Sequence, residues 1–239
     1  MIRFNAHFIN RIDYTGDITF VIDFDKTITS KESESTFGVF AFALPERYNQ
    51  LKRKLDLINN ANEYWYFRLI LLQKFLNDKH IFEKIIATFN FKLRENVIET
   101  INLLQSKGHN IIINSSGIGN IIELILEKQG CNMKKIKIYS NFYEWKKNKW
   151  ILKNTDCISP YNKKNKQYIA EIKKDAKYIL IGDTIEDITM LPENYNILCK
   201  IAFLDNEIEK YKDIFLEKFD IIAIDNESFS HPFKVLKLL

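Results

Sequence analysis

Residues 18–29 read ITFVIDFDKTIT, and this stretch indicates both the fold and the place of a polar site. Its first half, Ile18 to Ile22, is a mostly apolar run rich in β-branched and aromatic residues, which is typical of a strand buried on both faces of a parallel sheet. Asp23 and Asp25 come directly after that strand. In extended backbone, side chains two residues apart point to the same side, so both carboxylates can face one pocket.

Similar short apolar runs recur along the chain and alternate with helical patterns. This alternation predicts a doubly wound α/β domain with a mainly parallel sheet. Gly108 and Gly130 stand where two of the helices would end. The predicted strands are Ile18 to Ile22, Asn110 to Ile113, Lys135 to Tyr139, Tyr178 to Ile181 and Asp220 to Ile224. The predicted helices span about 94–107, 118–129, 163–175 and 206–218.

Two stretches interrupt the alternation. Residues 30–90 hold helical patterns rich in aromatic residues. They predict a small helical cap domain, inserted after the first strand and lying over the edge of the sheet where open α/β folds bind ligands. Residues 1–29 and 91–239 then form the α/β catalytic core. Residues 141–152 place two tryptophans about a Lys-Lys-Asn-Lys turn, which predicts a β-hairpin.

Composition narrows the class of protein. A chain of 239 residues with 46% hydrophobic residues can bury one sizeable core with a smaller insertion. Its net charge of +4 is spread along the chain, which does not favour a nucleic-acid partner. No run of eighteen apolar residues and no leader pattern is present, so we expect neither a membrane span nor secretion. Three widely spaced cysteines fit a reducing cytoplasm.

A second polar cluster, Asn114 to Gly119, follows the strand that begins at Asn110. A hydroxyl together with free backbone N–H groups at a helix start makes an anion site without a full charge. The alternative is that Ser115 or Ser116 simply caps the next helix.

A third cluster, Tyr161 to Lys166, opens a predicted helix with three lysines. One of them could neutralise the oxygens of a phosphoryl group. Position alone does not say which one.

A fourth cluster, Gly182 to Asp187, follows the strand Tyr178 to Ile181. Gly182 would let the chain turn sharply, and Asp183 and Asp187 would lie one helical turn apart, suited to hold a metal. The alternative is that Asp183 only caps the helix. Because the carboxyl ends of parallel strands meet at one edge, the fold would bring all of these clusters together.

The paired carboxylates then suggest a chemistry. Two carboxylates this close repel each other unless a cation or a proton separates them, and Mg²⁺ with oxygen ligands does so while also neutralising a phosphate. Asp23 could attack phosphorus while Asp25 protonates the leaving oxygen and later activates water. By itself an Asp-x-Asp pair also fits metal-dependent glycosyltransferases and plain turns.

Taken together, the motifs resemble those of a known superfamily. The order Asp-x-Asp-x-Thr, Ser before Gly, Lys, then Gly-Asp-x-x-x-Asp resembles the haloacid-dehalogenase superfamily of phosphohydrolases. Within it the chain is similar to the cytosolic 5′-nucleotidase III, or pyrimidine 5′-nucleotidase, family from about residue 18 to the C terminus. The supporting stretches are 116–123, 137–142, 161–163, 182–184 and 201–205.

The resemblance implies a role for each acidic residue. Asp23 would be the nucleophile and a metal ligand. Asp25 would be the acid/base and would lend its main-chain carbonyl to Mg²⁺. Asp183 would complete the protein's metal ligands, and Asp187 would support the metal site from nearby.

It also implies how substrate is held. Phosphate would be bound by Ser115, with Ser116 and Gly117 beside it, and by Lys163, with Lys164 in reserve. Trp65 and Glu32 are the candidates for contacts with the rest of the substrate, although Trp65 could equally pack in the core.

The expected function is hydrolysis of nucleoside 5′-monophosphates, with a pyrimidine base, through an aspartyl-phosphate. Another small phosphate ester, such as phosphoserine or a sugar phosphate, is the alternative, because the segment after Thr29 is shorter than in the family. A non-catalytic nucleotide-binding module is a further one, although it would not need Asp25 beside Asp23. A glycosyltransferase would leave Ser115, Lys163 and Asp183 unexplained. The sequence indicates no oligomeric state.

Overall fold

A seven-stranded sheet runs through the molecule. The structure, a computed structural model, describes residues 1–4, 14–153, 156–164 and 166–238. The sheet order is β1-β9-β8-β7-β2-β3-β4, with every neighbouring pair parallel except β1 and β9, and the predicted mainly parallel sheet is confirmed. The strands are β1 (Ile2–Phe4), β2 (Ile18–Ile22), β3 (Asn110–Ile118), β4 (Ile136–Asn141), β5 (Tyr143–Lys146), β6 (Lys149–Leu152), β7 (Lys177–Gly182), β8 (Asn196–Leu204) and β9 (Ile221–Ile224).

The central strand β2 is buried on both faces, as its apolar sequence requires. Phe20 and Ile22 belong to the core on one face of the sheet, and Val21 belongs to the core on the other. Alternate side chains of a strand point to opposite faces, so one apolar strand feeds two cores.

Three strands differ from the sequence prediction by more than two residues. β1 and β8 were not predicted, because β1 has only three residues and Lys200 interrupts the apolar run of β8. β3 continues to Ile118, five residues beyond the predicted end, since it resumes pairing with β4 after an irregularity that follows Asn114.

The helices fall close to the predicted positions, and each of the four predicted helices is shorter than expected at one end or both. Gly108 and Gly130 have φ of 92° and 78°, the left-handed conformation of a residue that stops a helix. The helix predicted at 163–175 is confined to Lys166–Glu171. The helices are Phe40–Ala43, Pro45–Leu55, Ala61–Gln73, Ile81–Thr88, Val97–Ser106, Gly119–Lys128, Lys166–Glu171, Ile208–Lys218 and His231–Val235, with 3₁₀ turns at Met133–Lys135 and Ile185–Met190.

The first four of these helices form the inserted segment. Its two connections to the sheet run side by side, since the Ser30 N–H donates to the Lys92 carbonyl at 2.9 Å and the Arg94 N–H donates to the Ile28 carbonyl at 3.0 Å. The helices therefore leave and rejoin the sheet just beyond the end of β2.

The predicted hairpin is present as β5 and β6, and it fastens these helices to the core. Lys147 and Asn148 at its turn both have positive φ, as a two-residue hairpin turn requires. The Tyr143 hydroxyl donates to the Leu69 carbonyl at 2.8 Å, and the Trp150 indole N–H donates to the Asp78 carbonyl at 2.9 Å. Within the described ranges, no helix has the length and apolar character needed to cross a membrane.

Candidate active site

Asp23 and Asp25 lie at the carboxyl end of β2. Asp23 is buried, and its N–H donates to the Ile181 carbonyl of β7 at 2.9 Å, which holds the backbone in line with the sheet. Asp25 accepts two hydrogen bonds from Thr36, one from the backbone N–H at 2.9 Å and one from the hydroxyl at 3.0 Å. Thr36 also accepts the Ile118 N–H at 3.0 Å, so one buried threonine joins Asp25 to the end of β3. The sequence carried no signal for this residue.

Three carboxylates meet next to this strand end. One oxygen each from Asp23, Asp183 and Asp187 lies within 4.8 Å of the others. Asp187 accepts the N–H groups of Asp183 and Thr184, both at 2.9 Å, and the Thr27 hydroxyl donates to Asp183 at 3.2 Å. These bonds fix the orientation of the cluster.

A buried lysine balances the carboxylates. The ammonium of Lys163, which is 4% exposed, donates to both Asp23 and Asp187. Lys164 is exposed to solvent. Asn165 and the side chain of Lys166, from the same predicted cluster, lie outside the described residues. Of the described lysines in that cluster, Lys163 is the one placed at the site.

The electrostatics of the cluster fit a hard divalent cation. Burial raises the pKa of Asp23 to about 7, with Lys163 opposing the shift and Asp187 adding to it. Burial also raises the pKa of Asp183 well above its ordinary value, with Asp187 and Asp23 adding to it. Three carboxylates against one ammonium leave excess negative charge in a buried place, and carboxylate oxygens are the donors that Mg²⁺ prefers.

The raised pKa of Asp23 has a measurable consequence in the metal-free protein. The pKa of about 7 in the folded protein lies above the unfolded value of 3.8. The folded state therefore holds the proton of Asp23 more tightly, and this contribution to stability is complete below about pH 4. It is lost as the pH rises towards 7. Asp23→Asn removes that dependence. We therefore expect the melting temperature of Asp23→Asn minus that of the wild type, both in EDTA, to increase from pH 4 to pH 7 and then to level off. A difference that shrinks with rising pH would show that pairing with Lys163 dominates instead.

The end of β3 forms the second side of the site. Ser115 is buried and its hydroxyl oxygen accepts the Gly117 N–H at 3.1 Å, while the Ser116 carbonyl accepts a hydrogen bond from Asn141. A Cβ on Gly117 would lie 2.1 Å from Thr36 Oγ1 and 3.1 Å from Asp25 Oδ2, so only glycine allows this close approach. The end of β3 therefore packs closely on Thr36, which binds the carboxylate of Asp25.

The alternative in which Ser115 or Ser116 caps the following helix is wrong. Helix Gly119–Lys128 begins after Ile118, which makes no side-chain capping bond. β3 runs through both serines, within the irregularity between Asn114 and Ile118, so neither serine stands at the cap position of the helix.

The interpretation of Gly182 and Asp183 also needs correction. Gly182 ends β7 and is not among the described residues with positive φ, so a sharp turn is not what it provides. A Cβ there would lie 2.3 Å from Asp187 Oδ2, which means that glycine is needed for space. The cap of the following 3₁₀ turn is Thr184, in a reciprocal capping box with Asp187, so Asp183 is not the cap.

The two residues predicted to contact the rest of the substrate, Glu32 and Trp65, both lie between β2 and β3. Glu32 is 61% exposed and forms an ion pair with Lys92, so the structure places it at the surface rather than in the carboxylate cluster. Trp65 lies on helix Ala61–Gln73, partly buried, with the guanidinium carbon of Arg68 4.4 Å from its ring centroid.

A buried arginine holds the loop that follows Asp25. Arg94 is 2% exposed, donates to the carbonyls of Lys26, Thr27 and Asn226, and forms an ion pair with Asp205. Arg94 therefore ties the chain that follows Asp25 to Asn226 and Asp205, which fixes the path of the chain beside the two aspartates.

Comparison with known families identifies one whose sequences resemble this chain. The sequence profile described as pyrimidine 5′-nucleotidase (UMPH-1) matches residues 48–239. That range contains Ser115, Lys163, Asp183 and Asp187, while Asp23 and Asp25 precede it.

The chain is also similar to curated proteins named as 5′-nucleotidases, and it shares its fold with a solved structure. The chain is 25% identical to a 7-methylguanosine phosphate-specific 5′-nucleotidase of Drosophila melanogaster, covering 92% of this chain and 79% of the relative. It is 28% identical to the Homo sapiens protein of the same description, covering 87% and 72%. Other curated relatives are matched over as little as 50% of their own length. A crystal structure of cytosolic 5′-nucleotidase IIIB bound to cytidine has the same fold, with a TM-score of 0.78 at 23% identity over 99% of this chain and 93% of that one.

Proposed function

The chain belongs to the pyrimidine 5′-nucleotidase (UMPH-1) family, and from that membership we propose that it hydrolyses nucleoside 5′-monophosphates, preferentially of pyrimidines, to nucleoside and phosphate with Mg²⁺. Membership makes it a phosphoric monoester hydrolase. The observation that carries the proposal is that two carboxylates lie at the end of one strand and have different hydrogen-bond partners. Asp23 is bound by the Lys163 ammonium, and Asp25 is bound by Thr36.

The two aspartates divide the chemistry between them. A carboxylate oxygen of Asp23 attacks phosphorus, and the bond from phosphorus to the ester oxygen breaks. Asp25 donates its proton to that oxygen and then removes a proton from the water that attacks the aspartyl-phosphate, releasing phosphate and restoring Asp23. Burial raises the pKa of Asp25, with the hydrogen bonds from Thr36 opposing the shift, and a raised pKa favours the protonated acid needed for the first step.

The other residues hold the phosphoryl group. Lys163 offers its charge beside Asp23, and Ser115 offers a hydroxyl from the end of β3. Asp23, Asp183 and the main-chain carbonyl of Asp25 would hold Mg²⁺, which when bound supplies positive charge for the phosphoryl oxygens. Asp187 orients Lys163 and the backbone of Asp183.

The inserted helices supply the rest of the pocket. We assign residues 30–90 to a cap domain, and residues 1–29 and 91–239 to the catalytic core. Ligands of open α/β sheets bind beyond the carboxyl ends of the strands, where these helices leave and rejoin the sheet. Trp65, on the longest of these helices, would stack on the base.

The proposal predicts a substrate order that depends on the metal. Phosphate release should be measured from CMP, UMP, GMP, 7-methyl-GMP, phosphoserine and glucose 6-phosphate, each with Mg²⁺ and with EDTA. We expect CMP and UMP to be the best substrates and EDTA to remove turnover, because the buried carboxylates then lack their cation.

The same panel tests the rival functions. Nucleotides as the poorest substrates would assign the site to another phosphate ester. No phosphate release from any compound with Mg²⁺, while nucleotide still binds, would indicate a binding module.

A further inference from the structure

Arg68 is the only charged residue in the run from Tyr64 to Leu72 of helix Ala61–Gln73. Its guanidinium carbon lies 3.4 Å from the ring centroid of Phe37 and 4.4 Å from that of Trp65. With aromatic rings packed against the guanidinium, its N–H edge is the part left to interact with a ligand.

The N–H groups of Arg68 have no acceptor in the described part of the chain. No hydrogen bond or ion pair joins Arg68 to any residue within those ranges, although burial is strong enough to lower its pKa to about 10. That pKa still leaves the group charged at neutral pH. Arg68 is only partly exposed to solvent, and a charge that is largely removed from water is normally paired. Arg94 shows the difference, because its N–H groups are taken up by three carbonyls and by Asp205.

The contacts of Arg68 link it to Asp25 through Phe37 and Thr36. Phe37 directly follows Thr36, which binds both oxygens of the Asp25 carboxylate. The neighbouring residue, Leu69, is held by the Tyr143 hydroxyl, which anchors this turn of the helix to the core.

This position is on the leaving-group side of the reaction. In the proposed function Asp25 protonates the ester oxygen of the leaving nucleoside, so a residue beside Asp25 faces that nucleoside. Asp23 and Lys163 would face the phosphorus, and these two side chains are paired with each other. Arg68 has no such partner among the described residues.

We propose that Arg68 is a specificity-determining residue, whose N–H groups bind acceptor atoms of the leaving nucleoside and whose charge excludes a cationic base. The inference rests on the proposed function. Cytosine offers the adjacent acceptors O2 and N3 to a guanidinium fork. The base of 7-methylguanosine carries a positive charge, and its N7 is blocked by the methyl group. The chain therefore prefers CMP to 7-methyl-GMP, in contrast to the names of its curated relatives.

The test compares three substrates in wild type and Arg68→Gln, measuring kcat/KM for CMP, 7-methyl-GMP and phenyl phosphate. Phenyl phosphate has a leaving group without comparable acceptors, so it reports the chemistry alone. We expect wild type to prefer CMP to 7-methyl-GMP. Arg68→Gln should lower kcat/KM for CMP about 10- to 100-fold more than for phenyl phosphate, the range of a bidentate base contact. The ratio of CMP to 7-methyl-GMP should fall by a similar factor.

Two further variants keep the test decisive. Arg53→Gln, an exposed arginine on helix Pro45–Leu55, should leave all three values unchanged. Arg68→Lys keeps the charge but not the fork, so it should lose activity on CMP and still discriminate against 7-methyl-GMP. If Arg68→Gln does not fold by circular dichroism, the lysine variant carries the comparison.

The outcomes distinguish failure of the role of Arg68 from failure of the proposed function. Equal losses on all three substrates, an unchanged ratio, or a wild-type preference for 7-methyl-GMP each overturn the role of Arg68. Turnover of phenyl phosphate with no turnover of any nucleotide overturns the proposed function, and the inference falls with it.

Discussion

Asp23→Asn is expected to abolish phosphate release from every substrate while the protein stays folded. The amide cannot form the phosphoryl bond that the carboxylate forms, and removal of a nucleophile lowers kcat by a factor on the order of 10⁴ or more. Folding should survive because Asn has the same size and the backbone N–H of this residue still donates to Ile181. Steady-state phosphate release and the circular dichroism spectrum together check both parts.

Two comparisons make this prediction specific. Asp17→Asn changes an exposed aspartate before the other end of β2 and should leave kcat unchanged. After an acid quench, the wild-type peptide that contains Asp23 should carry a phosphoryl group by mass spectrometry, and the Asp23→Asn peptide should not. Full magnesium-dependent turnover by Asp23→Asn would falsify the covalent mechanism.

The parts of the site that the sequence predicts are those that follow strands. A parallel sheet needs continuous apolar runs, so the sequence locates β2 to the residue and brings the ends of β2, β3 and β7 to one edge. Polar residues at those ends are then neighbours by topology. The close approach of Asp23, Asp183 and Asp187 agrees with this reasoning.

Local propensity misled where tertiary contacts decide the conformation. Ser115 and Ser116 resemble a helix cap in sequence, yet pairing of β3 with β4 resumes beyond them and keeps them in the strand. Gly182 resembles a turn residue, yet what it provides is room for the Asp187 carboxylate. In both cases a packing neighbour overrides the propensity of the residue itself.

The residues that the sequence could not find lie in the inserted segment. Thr36 contacts Asp25 because of the path of the chain between β2 and the first helix, which no periodicity encodes. Arg68 carried a weak signal as a lone charge within an apolar and aromatic run. The role inferred for Arg68 depends on the lack of an acceptor for its N–H groups among the described residues, and only the folded structure shows this.

Lys163→Met should lower both stability and activity, by two separable effects. The variant leaves Asp23 and Asp187 buried without the ammonium that binds both, and removal of one partner from a buried ion pair costs about 3–5 kcal/mol. Loss of the charge beside the phosphoryl group should lower kcat by about 10²- to 10³-fold. Urea denaturation in EDTA and phosphate release with Mg²⁺ measure the two effects.

A variant of the neighbouring lysine and a double variant test whether unbalanced buried charge causes the loss of stability. Lys164→Met alters an exposed side chain one residue away and should change neither measurement appreciably. Lys163→Met with Asp187→Asn removes a carboxylate along with the ammonium, so part of the lost stability should return while activity stays low. Equal stability of Lys163→Met and wild type would mean that the three carboxylates do not need this charge to stay buried. Because repulsion among ionised carboxylates grows in a buried environment, that result would contradict the electrostatic account of the cluster.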